Sequence, residues 1–324
     1  MGIKKEYIAL FAVILALSLY LVFRTRDRTH YELPSLQKIE RAEIDKIEID
    51  KRDASIVLTR EGDRWRIAPK GYPADAEKVR KILDGIGQLT LTALVSESKN
   101  YGRYDLNDEK RITIRAWSQG TLRREFAVGK EASPSRHTFV TLAGNDRVYH
   151  ARGDIRGRFD QTVDQLRDKV ALSFEQDEIL QVELTKNGRS TVFVRKQVPV
   201  EESAGQEATA RDRTESKVET KWETADGQQV DESKLKRLIG MLADLRCKSY
   251  VADRKKEDFQ NPVYSILLKG TREYRLSIFA KTGEDAEGYP AISSENAYPF
   301  LLSDRQAGDI MKDPEEMAAK PEKS

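Results

Sequence analysis

The sequence predicts an α+β protein with a single N-terminal transmembrane helix followed by two repeated modules, each an antiparallel sheet with a packed amphipathic helix. Three observations predict it. An uncharged apolar run, 7–23, stands near the start of the chain. Two distant helical patterns share the same apolar offsets, and each follows a tryptophan. Alternating apolar segments flank both patterns in the same order.

The run 7–23 holds 17 residues, at the low end for spanning a bilayer. Lys4 and Lys5 precede it, and Arg24, Arg26 and Arg28 follow it. Tyr7 and Tyr20 sit near its ends, where amphipathic rings favour the membrane interface. A cleaved signal peptide would end in small residues, whereas this run ends Leu21-Val22-Phe23-Arg24. No cysteine follows to carry a lipid, and Glu6 stands where myristoylation wants Ser or Thr. The expectation is a cytoplasmic tail over 1–6 and a membrane span over 7–23. The bilayer is then one partner and the bacterial cytoplasmic (inner) membrane the location. Basic residues flank both ends, so the orientation, with a periplasmic body, rests on the shortness of the tail.

The repeat is clearest around two tryptophans. Trp65 precedes a helical pattern over 75–89, and Trp222 precedes another over 231–245. Counted from Asp75 and Asp231, apolar residues fall at +4, +7, +8, +11 and +14 in both. That spacing is one stripe of an amphipathic helix. The two aspartates have the chemistry of N-caps, whose carboxylates accept orphan N–H groups of the first turn. Upstream, Ile47 and Ile49 alternate with charges before Ile56-Val57-Leu58; Val182 and Leu184 do so before Val192-Phe193-Val194. Each pair reads as a hairpin with one buried face, and Asn187-Gly188 is a strong turn signal. Downstream, Ile112 and Ile114 match Tyr264 and Ile266, Leu122 and Phe126 match Tyr274 and Ile278, and Tyr149 falls near Tyr298. A short helix opens at Asp154 and at Asp304.

These matches set the expected domains. A tether covers 24–41, module 1 covers 42–160, a connector covers 161–177 and module 2 covers 178–311. Positions before the tryptophan shift by 135 between modules and the helix by 156, which places an insertion over 197–220. That segment is charged and lacks aromatic residues, so it is expected to be disordered, as is the tail 312–324.

The composition excludes several chemistries. Acidic and basic residues nearly balance, with a formal net charge of +2, so no global field favours nucleic acid. One cysteine, Cys247, leaves no disulfide framework or cysteine-rich metal site. His137 and His150 lie on adjacent predicted strands and His30 in the tether, without a further ligand pattern. Gly85-Ile86-Gly87 falls inside a helix, where it reads as close packing rather than a phosphate loop. Ser96-Glu97-Ser98-Lys99 and Lys281-Thr282-Gly283 spell fragments of a penicillin-recognising site without the helical context that site requires. Asp105, Asp108 and Glu109 read as solvated turn residues. No catalytic residue, cofactor or metal is therefore expected, and the chain reads as a non-enzyme. Trp65 and Trp222, with Asp75 and Asp231, read as structural anchors of the repeat. Trp117 has no counterpart in the second module and is the candidate surface-binding residue.

The run Pro73-Ala74-Asp75 with its helix, then Tyr101-Gly102-Arg103-Tyr104-Asp105-Leu106, then Arg167-Asp168-Lys169, resembles the bacterial family called domain of unknown function 4340. The resemblance covers about 44–310. It implies a single-pass envelope protein, encoded beside ABC-exporter subunits of the gliding-motility auxiliary type, and transfers no catalytic residue. The expected function is a non-catalytic envelope module that binds a protein partner, an accessory of an ABC-type membrane complex. The alternatives are a glycan-, lipid- or peptide-binding module using a cleft between modules, and a hydrolase built on Ser96 and Lys99.

Overall fold

The computed structural model describes residues 5–26, 31–132, 137–199, 218–283 and 286–317. The chain divides into two compact units, Met1–Asp168 and Lys169–Ser324. The first holds α1 (Lys5–Arg26), β1 (Lys46–Lys51), β2 (Ala54–Glu61), β3 (Arg64–Ile67), β4 (Tyr72–Pro73), α2 (Ala76–Gly87), β5 (Leu91–Ser96), β6 (Ile112–Ser118), β7 (Thr121–Ala132), β8 (His137–Leu142), β9 (Val148–Arg152), α3 (Arg156–Phe159) and α4 (Val163–Leu166). The second holds β10 (Val170–Ser173), β11 (Gln181–Lys186), β12 (Arg189–Pro199), β13 (Val218–Thr224), α5 (Glu232–Ala243), β14 (Asp244–Arg246), β15 (Ser249–Tyr250), β16 (Tyr264–Lys269), β17 (Glu273–Ile278), β18 (Tyr289–Ser293), β19 (Phe300–Leu302) and α6 (Asp304–Ile310).

The architecture is α+β with antiparallel sheets, but the transmembrane helix is corrected. The run 7–23 lies within α1, yet no helix among the described residues is long and apolar enough to cross a membrane. Seventeen uncharged residues rise about 26 Å as a helix, short of a hydrocarbon core of about 30 Å. The bilayer as a partner through 7–23 rested on that span.

Each unit is built on one large antiparallel sheet with a helix on one face, and the second unit adds the two-stranded sheet β10-β14. The sheets run β4-β3-β2-β1-β6-β7-β8-β9-β5 and β13-β12-β11-β16-β17-β18-β19-β15. Apart from β4, the order is the same strand for strand. Alternation puts Ile47, Ile49, Ile112, Ile114 and Phe126 under α2 in the first core. Val182, Leu184, Tyr264, Ile266 and Leu276 occupy the second, with α5. Ile49 pairs with Ile114 as Leu184 pairs with Ile266. Arg60 pairs with Trp65 as Arg195 pairs with Trp222, so the tryptophans are equivalent in register. At the second hairpin both turn residues, Asn187 and Gly188, have positive φ (50° and 79°), as a tight two-residue turn requires. The first hairpin turns through Arg52 and Asp53, between the paired Lys51 and Ala54.

Two sequence matches shift. Phe126 pairs with Ile114 and Leu276 with Ile266, so Phe126 corresponds to Leu276, not Ile278. The β6–β7 hairpin carries two more residues than β16–β17 and a bulge at Ala116/Trp117, which breaks the constant offset. Tyr149 pairs with Val140, and Phe300 with Ala291, so Tyr149 corresponds to Phe300 rather than Tyr298. The helix expected at Asp304 is capped by Ser303, and the one expected at Asp154 starts at Arg156.

The modules also begin earlier and end later than expected. Residues expected as tether dock on module 1: Ile39 is buried, with Leu33 and Leu36 packed beside it. The Ile39 N–H donates to the Gly87 carbonyl at the end of α2, as the Phe174 N–H donates to Ala243 at the end of α5. The expected connector is thus divided: its first part, with α4, belongs to module 1, and the part from Lys169 opens module 2. At the other end, the Asp75 N–H donates to the Leu166 carbonyl and the Asp231 N–H to Met317, both at 2.8 Å. Lys78 and Lys234 likewise reach the carbonyls of Gln165 and Glu316. So the turn Pro314–Met317, expected within a disordered tail, closes module 2 as α4 closes module 1, with Pro314 and Met317 buried. Residues 318–324 lie outside the described residues. So do 200–217 of the expected insertion, whose flanks belong to β12 and β13, paired as far as Pro199 and Val218.

Candidate interaction surface

The anchors sit inside the modules. Trp222 is buried at 6% exposure, and Trp65 is half-buried against the first core. The Asp75 carboxylate accepts from the Glu77 and Lys78 N–H groups at 3.0 and 3.1 Å, and Asp231 accepts from Lys234 at 3.3 Å. Neutralising the partial positive charge of a helix start is their chemistry here. Two arginines not singled out in the sequence repeat the same bond. Arg60 donates to the Ala42 carbonyl at 3.1 Å and Arg195 to Asp177 at 3.0 Å, tying β2 and β12 to the turn before β1 and β11. Their shared offset of 135 was the available signal.

The face of sheet 1 away from α2 has two halves. Over β1 and β6 it is a charge ladder. Arg115 donates to Asp50 at 2.6 Å and Glu125 at 2.9 Å, across neighbouring strands. Trp117 lies on this half, half-buried, with the Lys46 ammonium 4.7 Å from its ring centre. The register of β6 and β16 puts Lys269 at its place in module 2. Trp117 is therefore a half-buried strand-end residue beside Lys46. Over β7 to β9 the face is roofed by the turn Tyr101–Tyr104, with Leu106, Ala127 and Val148 buried beneath. Gly129 permits this approach, since a Cβ there would stand 2.1 Å from the Tyr104 carbonyl oxygen. Asp105 ends the turn at φ 54°. A shallow depression of about 310 Å³ lies between the halves, lined by Tyr101, Arg111, Arg115, Glu125 and Asp146 among others.

Other candidates do not assemble. His137 and His150 stack with ring centres 5.3 Å apart, and Phe139 lies 4.9 Å from His150. Burial, then the neighbouring His137, pushes the His150 imidazole below its ordinary pKa. Among the described residues no group of three or more His, Cys, Asp and Glu could hold a metal; His30 lies outside them. Lys99 ion-pairs with Asp146 at 2.5 Å, whose hydrogen bond and charge hold its pKa above the ordinary value. The Ser96 hydroxyl instead meets Ser98 at 2.8 Å. A lysine held charged in this way is not poised as a base for Ser96. In the second unit Lys281 pairs with Asp304. Cys247 is buried. Gly85 and Gly87 do allow close packing, but against the Phe159 ring and the Ile39 carbonyl rather than the sheet. Asp105 and Asp108 pair with Lys110 and Arg111.

The sheet edges differ from one another. An outer strand exposes unpaired N–H and C=O groups to any extended chain, and proteins blunt such edges with charge, proline, shortness or bulges. β4 is two residues long, includes Pro73, and is flanked by Asp168, whose N–H donates to the Pro73 carbonyl. β13 carries Lys221 and Glu223, and its Trp222 N–H is taken by the Glu232 carboxylate at 3.1 Å. β15 has two residues, preceded by the exposed Lys248. β5 has six, Leu91-Thr92-Ala93-Leu94-Val95-Ser96, none charged and none proline. Its irregularities are two register shifts against β9. Leu94 pairs with Tyr149 and Tyr250 with Phe300, so Thr92 stands where module 2 has Lys248. Among the described residues no strand pairs with the outer side of β5.

No curated protein and no solved structure matches the chain. A family model described as a domain of unknown function (DUF4340) matches residues 65–262, from the first tryptophan strand to the loop before β16. The matched stretch is narrower than the resemblance over 44–310, yet it takes in both tryptophan–helix units and the Tyr101–Tyr104 turn. The chain belongs to the domain of unknown function 4340 family.

Proposed function

We propose that this chain is a non-catalytic module of the bacterial envelope that binds another protein by strand addition at β5. The observation that carries this reading is the uncharged six-residue edge, set beside the lysine that guards the equivalent edge of module 2. Main-chain hydrogen bonds along such an edge supply affinity, and pockets for alternate side chains supply selectivity. The family resemblance directs the search for partners to ABC-type export complexes.

The test uses the full chain as bait in extracts of its host. Thr92→Lys gives β5 the guard that module 2 already has. Wild-type bait is expected to retain a defined set of chains that Thr92→Lys loses and Trp117→Ala keeps. Retention of the same set by Thr92→Lys would overturn the reading.

A further inference from the structure

We infer that the strand docking on β5 is β5 of a second copy of this chain, in antiparallel register. The inference rests on the strand-addition reading above and names its partner.

Charge placement argues for it. β5 is neutral throughout, and the residues entering it, Gln88, Leu89 and Thr90, are neutral too. Charge begins only beyond its C-terminal end, where Glu97 pairs with Arg147 at 2.9 Å and Lys99 with Asp146 at 2.5 Å. In a two-fold antiparallel pair the C-terminal end of one strand faces the N-terminal end of the other. Centred on Thr92, the pair sets Ser96 against Gln88 and leaves Glu97 and Lys99 beyond the paired stretch, so no like charges oppose each other and no ion pair is broken. Parallel pairing would set Glu97 against Glu97, which is unfavourable across strands. An edge neutral along its whole length matches its own copy end to end.

Closure argues for it as well. A two-fold contact uses the same surface on both copies and stops at the dimer. The opposite edge of the same sheet, β4, is too short and proline-bearing to continue the ladder. The result is a dimer rather than a fibre. Module 2 has Lys248 at the corresponding position, exposed and bonded to the Glu287 carbonyl at 2.6 Å.

The experiment is sedimentation of the full chain across concentration, with Thr92→Lys, Thr92→Asp and their equimolar mixture. Wild type is expected to dimerise. Each variant alone is expected to associate at least about tenfold more weakly, since like charges meet at the two-fold contact. The mixture is expected to recover the dimer, because opposite charges now face each other; recovery also shows that both variants are folded. Wild type that stays monomeric, or variants that associate as wild type does, would overturn self-pairing. The two readings fail separately. A monomeric wild type whose captured partners are lost in Thr92→Lys leaves strand addition standing with a foreign strand. Capture unchanged in Thr92→Lys, with dimerisation lost, leaves self-pairing standing and removes the foreign partner.

Discussion

At the scale of single residues, the molecule repeats its polar fastenings as faithfully as its apolar core. The tryptophans and capping aspartates were legible because offset and chemistry coincide at each. Arg60 and Arg195 were not read, because an arginine in a charged sequence carries no signal until its register is known. The stacked histidines were legible as neighbours, but the burial of His150 was not. Burial and His137 hold His150 below its ordinary value of 6.5, so the folded state resists a proton that the unfolded chain accepts. The sign follows: stability is intact above that value and falls as the pH drops below it. Urea midpoints of the wild type are expected to fall between about pH 7.5 and pH 5.5 by more than those of His150→Gln. Equal slopes would show that His150 does not contribute to acid sensitivity.

Among the elements, the hairpin strands and both amphipathic helices were readable from period alone, the helices within two residues at their ends. The opening and closing segments were not. Residues 31–41 and 312–317 are polar and lack periodicity, and their place in the fold depends on backbone carbonyls at helix ends. Arg124 shows the logic. It is buried on β7, where Tyr274 stands in module 2, and donates to the carbonyls of Ile86 and Gly87 at the end of α2 and of Gln37 in the opening segment. Burial lowers its pKa, but a positive charge at a helix C-terminus is favourable. Arg124→Met is expected to cost about 1–3 kcal/mol, because it removes its hydrogen bonds to the buried Ile86 and Gly87 carbonyls and to the part-buried Gln37 carbonyl. Faster exchange of the Ile39 amide with little change at Phe174 would place the loss at the opening segment. Unchanged exchange at Ile39 would show that the segment is held by its apolar contacts alone.

Over the whole molecule, two large sheets of one topology differ at one edge, β5 in the first and β15 in the second. The sequence carried the repeat, but not the edge. Which strand lies outermost depends on long-range pairing that no local pattern encodes, and β5 was not singled out in the sequence. The expected membrane span failed for a different, local reason: its composition suits a bilayer, but its uncharged run is short of a full hydrocarbon core. With no catalytic constellation assembled among the described residues, the account of function rests on β5 as a docking edge. Amide exchange along Leu91–Ser96, compared between dilute chain and the associated form, tests that most directly. Exchange is expected to slow across β5 on association while Val218–Thr224 in β13 keeps its rate. Unchanged exchange in β5, with protection arising elsewhere, would contradict the account.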